Sequence, residues 1–397
     1  MPDSGTRAEW PLLNAARWVS ASIVLLGHAT LLILHPAASL HDGIAASVLT
    51  FFARSRFSAV TIFFVLSGFL VGGGVLRAGD RFRWPIYCAN RFARIYIVLI
   101  PALLLTAALD GLAYLMNPSS PIYSSPWPSG VMGSEPPFSH YGVANVLVSI
   151  FSVEPLSQPL GSNTALWSLG YEWVFYFLLP LLFQAGRSLR LGTWFGYSAM
   201  LLGPLLLLPF GKAEAAAYWF IWCAGAVARV FVGNTPWHRA ASRTGGVAFL
   251  LTLLAMAAAG HKPWSELALG VSFALLIANE QVLGLRLNAR LDKVLADCSY
   301  SLYVTHMPCA AFITFLFWST NLLPPSGVPF GASFLTMWAA IIVTALAVAF
   351  AFERLFERNT AALRDAIANV TFRRRKIPPE LLGAAIETKA TRSSTTP

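Results

Sequence analysis

The chain has 397 residues, 56% of them apolar and only 12% charged. Soluble domains carry about 25% charged residues, so half that density excludes an ordinary soluble fold and points to lipid. The net charge of +10 would suit nucleic acid, but the basic residues occupy alternate loops between apolar runs, which excludes that partner and describes a polytopic membrane protein instead.

Ten apolar segments follow in chain order, at about 13–35, 57–77, 93–116, 164–184, 193–210, 214–232, 245–260, 263–281, 297–320 and 332–356. The fold expected is an all-α bundle of about ten transmembrane helices. The first segment is expected to be retained, since MPDSGTRAEWPLLNAARW lacks a basic start, a short apolar run and a small-residue cleavage site. Arginines crowd the second loop (Arg77, Arg81, Arg83, Arg91, Arg94) and recur at Arg187 and Arg190, at Arg239 and Arg243, and at Arg286, Arg290 and Lys293. They return in the tail at Arg373, Arg374, Arg375 and Lys376. The loops between are poor in positive charge: 117–163 and 321–331 have no Lys or Arg, and Arg54 and Arg56 are the main exception. The alternation predicts both termini in the cytoplasm.

The domain division is then a cytoplasmic N-terminal tail over 1–12, a membrane domain over 13–356, and a disordered cytoplasmic tail over 357–397 with a basic patch. The outer loop 117–163 is either a lid or a connector. Six prolines between Pro118 and Pro137 bar a regular helix from its first part, 117–142. Cys88, Cys223, Cys298 and Cys309 show no paired spacing, so neither a disulfide framework nor a metal site is expected.

Ionisable groups inside apolar helices mark function or a buried pair. Arg17 and His28 stand in the first segment with ten residues between them, roughly 16 Å along a helix axis. Arg17 thus belongs near one face and His28 well inside. Counted from the outer ends of their helices, His28, Glu172 and Asp110 fall at similar depth. A carboxylate beside His28 would make it a general base, or would merely satisfy a buried polar group. For Asp110, next to Gly111, the alternative is that it only marks a helix end. At the inner face Arg91 and Arg94, three apart, share a helix face and offer forks suited to phosphate, with Arg17 joining them; alternatively they only set topology. The ninth segment carries Ser299, Ser301, Tyr303 and His306 before Pro308, with Tyr303 and His306 on one face. In FFVLSGFLVGGGV, residues 63–75, the glycines point first to close helix packing.

Together these segments resemble the membrane-bound acyltransferase family 3, polytopic enzymes that O-acylate glycans and other acceptors. The resemblance rests on the Arg17-to-His28 spacing, FFVLSGFL (63–70), RFARIYIVLIP (91–101), WSLGYEWVFYFLLP (167–180), SYSLYVTHMP (299–308) and FERLFER (352–358). The ninth-segment motif differs at Val304 and Thr305, where bulkier residues are commoner. The resemblance implies a cytoplasmic acyl-coenzyme A donor as co-substrate with no bound cofactor, and a glycan, lipid-linked or small-molecule hydroxyl acceptor. It implies catalysis by His28 and supporting roles for Arg17, Arg91, Arg94, Ser168 and Glu172. The expectation is a transferase of acetyl or other short acyl groups in a bacterial inner membrane that modifies polysaccharide, with Asp110, Tyr303 and His306 in support. A proton-coupled secondary transporter of a small anionic or sugar-like substrate is the alternative. A non-catalytic assembly or sensor protein is a third.

Overall fold

A computed structural model describes residues 11–34, 43–127, 135–152, 158–190, 213–233, 235–259, 262–279, 288–324 and 326–373. Among them the chain is helical, with one isolated parallel bridge between Leu34 and Val328. In chain order the helices are α1 (Pro11–Ile33), α2 (Gly43–Arg54), α3 (Arg56–Ser67), α4 (Gly73–Ala78), α5 (Trp84–Met116), α6 (Pro121–Ser124), α7 (Val143–Phe151), α8 (Trp167–Arg190) and α9 (Ala213–Val230). They continue with α10 (Pro236–Ala259), α11 (Pro263–Leu276), α12 (Ala289–Asp297), α13 (Ser299–Ser319), α14 (Ala332–Leu355) and α15 (Thr360–Arg373). A π-helical turn, Gly68–Gly72, joins α3 to α4.

Among the described residues, six helical stretches are long and apolar enough to cross a bilayer: Pro11–Ile33, Arg56–Arg81, Trp84–Met116, Thr164–Leu189, Ser299–Ser319 and Ala332–Asn369. Two shorter apolar helices, Ala215–Val230 and Trp264–Asn279, pack among them. This is a multi-pass membrane protein. The expected span at 193–210 and the basic patch Arg374–Lys376 lie outside the described residues.

Local sequence explains the element ends that matter for the site. Proline opens α1 at Pro11 and occupies the first turn of α5 at Pro85, where its missing N–H has no intrahelical partner to lose. The helix expected from residue 93 therefore begins at Trp84, and Arg91 and Arg94 sit on a continuous helix rather than in a loop. Its 33 residues span roughly 50 Å, more than the hydrocarbon core, so its arginine-bearing start reaches beyond the apolar zone. Leu104 and Leu115 on the same helix are 67% and 82% exposed, the pattern of a lipid-facing stripe.

The bundle is closed by near-contact of backbones. A Cβ on Gly68 would fall 1.9 Å from the carbonyl oxygen of Trp222, and one on Gly225 would fall 2.1 Å from that of Val65. Gly68, Gly72 and Gly73 thus serve close packing of the π-turn and α4 on α9, as their sequence suggests. α1 packs on α3 and α13, and α13 packs in turn on α5 and α14.

Two stretches depart from the expected outline. Residues 360–373, assigned above to a disordered tail, form α15, which packs on α5. The first part of the outer loop contains only the single turns Pro121–Ser124 and Pro137–Ser139, but its later part forms α7. Asn145, Val148 and Ser149 of α7 are buried, while Val143 and Leu147 are exposed.

Candidate functional site

Helix geometry assembles one large cavity. On α8, Ser168, Glu172 and Tyr176 recur every four residues and so form one stripe. On α13, Ser299, Tyr300 and Tyr303 do the same at shorter spacing. These two stripes, with Arg17 of α1 and Arg91 and Arg94 of α5, line a cavity of about 770 Å³, within the usual range for small-molecule sites. Its remaining charged walls are Lys293, Asp297, Glu353, Glu357 and Arg358.

Not all of those charges face a ligand. Arg94 Nη1 lies 2.6 Å from Glu357 Oε1, and the Glu357 side chain is only 5% exposed. The other oxygen of Glu357 accepts from the Ser301 amide (3.1 Å) and hydroxyl (2.6 Å). Lys293 is paired with Asp297 at 2.5 Å. Arg91 differs: among the described residues its buried Nε has no hydrogen-bond partner, and its guanidinium lies over the rings of Tyr87 and Tyr176. Arg94 therefore separates from Arg91 in role, although the two share a helix face. Glu357 has no signal of its own in the sequence beyond its place in FERLFER. The helix ends at Leu355, and the short turn Glu357–Asn359 carries the carboxylate inward.

At the other end of the cavity Ser168 and Tyr303 meet. Tyr303 Oη donates to the Ala165 carbonyl at 2.7 Å, which spends its one proton, so Ser168 Oγ donates in the 2.6 Å bond between the two hydroxyls. Beside Tyr303 lies a buried histidine pair. His28 Nδ1 and His306 Nε2 are 2.9 Å apart, and the rings are nearly parallel with centroids 5.2 Å apart. His306 Nδ1 faces the carbonyls of Tyr303 (2.8 Å) and Leu302 (3.1 Å). Carbonyls only accept, so Nδ1 of His306 carries its proton and Nε2 is its lone pair. In the neutral pair His28 Nδ1 then donates, and His28 Nε2 is the basic nitrogen. Neither histidine is among the residues that line the cavity; Tyr303, which does line it, packs against His306 with ring centroids 6.0 Å apart.

Glu172 is not joined to His28 by a hydrogen bond. It accepts from Tyr176 Oη at 3.1 Å, at the end of a chain in which Trp222 donates to Ser67 and Ser67 to Tyr176. Asp110 belongs to a different place altogether. It accepts from Tyr141 Oη (2.7 Å) and from the amide (2.8 Å) and hydroxyl (2.7 Å) of Ser162, and so clasps the outer loop to α5. Gly161, at φ +53°, is required there because a Cβ would meet Asp110 Oδ2 at 2.3 Å. Burial and the neighbouring Asp110 carboxylate push the Tyr141 hydroxyl well above the ordinary tyrosine range, so it stays a donor. The sequence placed Asp110 in one layer with His28; the structure assigns it to loop attachment.

The class these features define is a multi-pass helical membrane protein with a polar cavity whose lining includes several arginines. Family comparison makes it more specific. The chain matches the family 3 acyltransferase domain over residues 10–354 and belongs to that family. No curated protein and no solved structure matched it.

Proposed function

We propose that this acyltransferase takes its acyl group from cytoplasmic acyl-coenzyme A and passes it to a hydroxyl of a glycan, glycolipid or other acceptor. One observation carries the reading: a single cavity runs from Arg17 and Arg91 to the Ser168–Tyr303 hydroxyl pair, next to the His28–His306 pair. Arg17 and Arg91 supply cations for donor phosphate. Arg94, already matched by Glu357, shapes the mouth. The roughly 16 Å between Arg17 and His28 suits an extended pantetheine arm.

In the proposed step His28 Nε2 removes the acceptor's hydroxyl proton as the oxygen attacks the thioester carbon. The C–O bond forms, the C–S bond breaks, and the proton passes to the leaving thiolate, giving ester and free coenzyme A. His306 is a positioning residue that fixes the tautomer and tilt of His28. Neither histidine lines the cavity, so the thioester reaches the pair beside Tyr303, which lines the cavity and touches His306. Glu172 tunes the cavity wall through Tyr176.

The test uses purified protein in nanodiscs with a series of acyl-coenzyme A donors, following thiol release and acylated product by mass spectrometry. His28→Ala is expected to lower turnover by about 10²- to 10⁴-fold with unchanged folding. His306→Gln is expected to lower kcat far more than it raises KM. Wild-type turnover by His28→Ala overturns the assignment of the base; no turnover of any acyl-coenzyme A by the wild type overturns the donor.

A further inference from the structure

A second, smaller cavity lies beside the first. It is a groove of about 250 Å³ between α4 and the start of α5, lined by Arg81, Phe82, Arg83, Tyr87, Asn90 and Arg91 among apolar residues. Arg91, Leu70 and Val71 belong to the walls of both cavities, so the groove and the deep cavity are neighbours across Arg91. Their charge differs in kind. The deep cavity mixes arginines with Glu172, Asp297, Glu353 and Glu357. Among the described residues no carboxylate lines the groove, and Asp80, one residue from Arg81, is paired with Arg187.

Three arginines without an acid, beside two aromatic rings and a carboxamide, are a receptor for a phosphorylated, flat heteroaromatic group. Guanidinium forks match phosphate oxygens, aromatic faces accept a base, and a carboxamide both donates and accepts. Phe82 is itself held in place, edge-on to Trp84 and tilted on Tyr87.

We propose that this groove is the phosphoadenosine subsite of the donor, with Arg81 and Arg83 facing the 3′-phosphate. The pantetheine arm passes Arg91 into the deep cavity, and the pyrophosphate lies at Arg91, where the unpartnered buried Nε points to an anion. This inference rests on the coenzyme A reading above and adds where the nucleotide end is recognised. It makes the family-typical Arg91 the hinge between two chambers and gives the arginines of the 77–83 turn a purpose besides topology.

The experiment measures binding of coenzyme A and 3′-dephospho-coenzyme A to the full-length protein in phosphatidylcholine nanodiscs, where no anionic lipid competes. The wild type is expected to prefer coenzyme A by about ten- to a hundredfold, the span of one or two charge-assisted hydrogen bonds. In the double variant Arg81→Gln/Arg83→Gln the ratio is expected to fall close to one. Both side chains are exposed, so the variant keeps its packing, and the ratio is read within one protein whatever its yield. A wild type that binds both ligands equally, or a variant that keeps the full preference, overturns the subsite. The latter result with weaker binding of phosphatidylglycerol to the variant assigns the groove to lipid headgroups instead. Absence of any coenzyme A binding by the wild type overturns the donor reading itself, a separate outcome.

Discussion

At the scale of single residues the decisive fact is which charges are already matched. Arg94 and Arg91 look equivalent in RFAR, three residues apart on one helix face. Glu357 distinguishes them, because a carboxylate 2.6 Å from Arg94 leaves Arg91 as the open fork. Glu357→Gln removes the counter-charge of a guanidinium that is one-third exposed while keeping an oxygen for Ser301. The expected loss is about 1–3 kcal/mol, seen as a lower melting temperature in detergent, and Arg94→Gln in the same chain should recover part of it. No recovery in the double variant would show that the pair is not coupled. The sequence showed both arginines and the FERLFER segment but not their pairing, since helical spacing reports faces of one helix and not which face meets which neighbour. The same blindness explains Glu172 and Asp110. Counting residues from a helix end gives depth, and at equal depth Glu172 turns to Tyr176 while Asp110 turns to the outer loop.

At the scale of elements, small residues decide how closely the helices approach. Gly68 to Ala places a methyl group against the Trp222 carbonyl, and overpacking of this kind costs about 1–3 kcal/mol or more. Gly74, six residues on, has nothing within 4 Å of its would-be Cβ. Gly74→Ala is expected to be neutral or to stabilise by up to about 1 kcal/mol through helix propensity. Thermal unfolding of the two variants side by side checks the contrast, and equal effects would discredit the tight approach. This packing was legible in the sequence, because a run of glycines in an apolar helix has few other uses. The helix over 360–373 was not, since its moderate polarity reads equally as tail; its contact with α5 supplies what propensity lacks.

At the scale of the whole molecule, apolar lengths gave the membrane class before any contact was known. The histidine pair was beyond that reach, as it joins residues 278 apart. In the segment that follows α6, His140 is 2% exposed, and among the described residues neither ring nitrogen has a hydrogen-bond partner. Burial lowers its pKa, opposed by Glu135. The unfolded loop therefore binds a proton below about pH 6.5 that the folded loop resists, and attachment weakens as pH falls through that value. Proteolysis of the loop should quicken below about pH 6.5 in the wild type and lose that pH step in His140→Gln; a step that persists in the variant assigns it to another group.

The tautomer of the histidine pair bears on the bilayer as an insulator. A conducting chain for protons needs an entrance and an exit. His306 Nδ1 ends against two backbone carbonyls, which cannot take a proton onward, so the pair is open only at His28 Nε2. Whatever proton His28 accepts must leave by the way it came. Under the proposed mechanism, two imidazoles buried in the helical bundle would serve base chemistry without short-circuiting a proton gradient across the membrane.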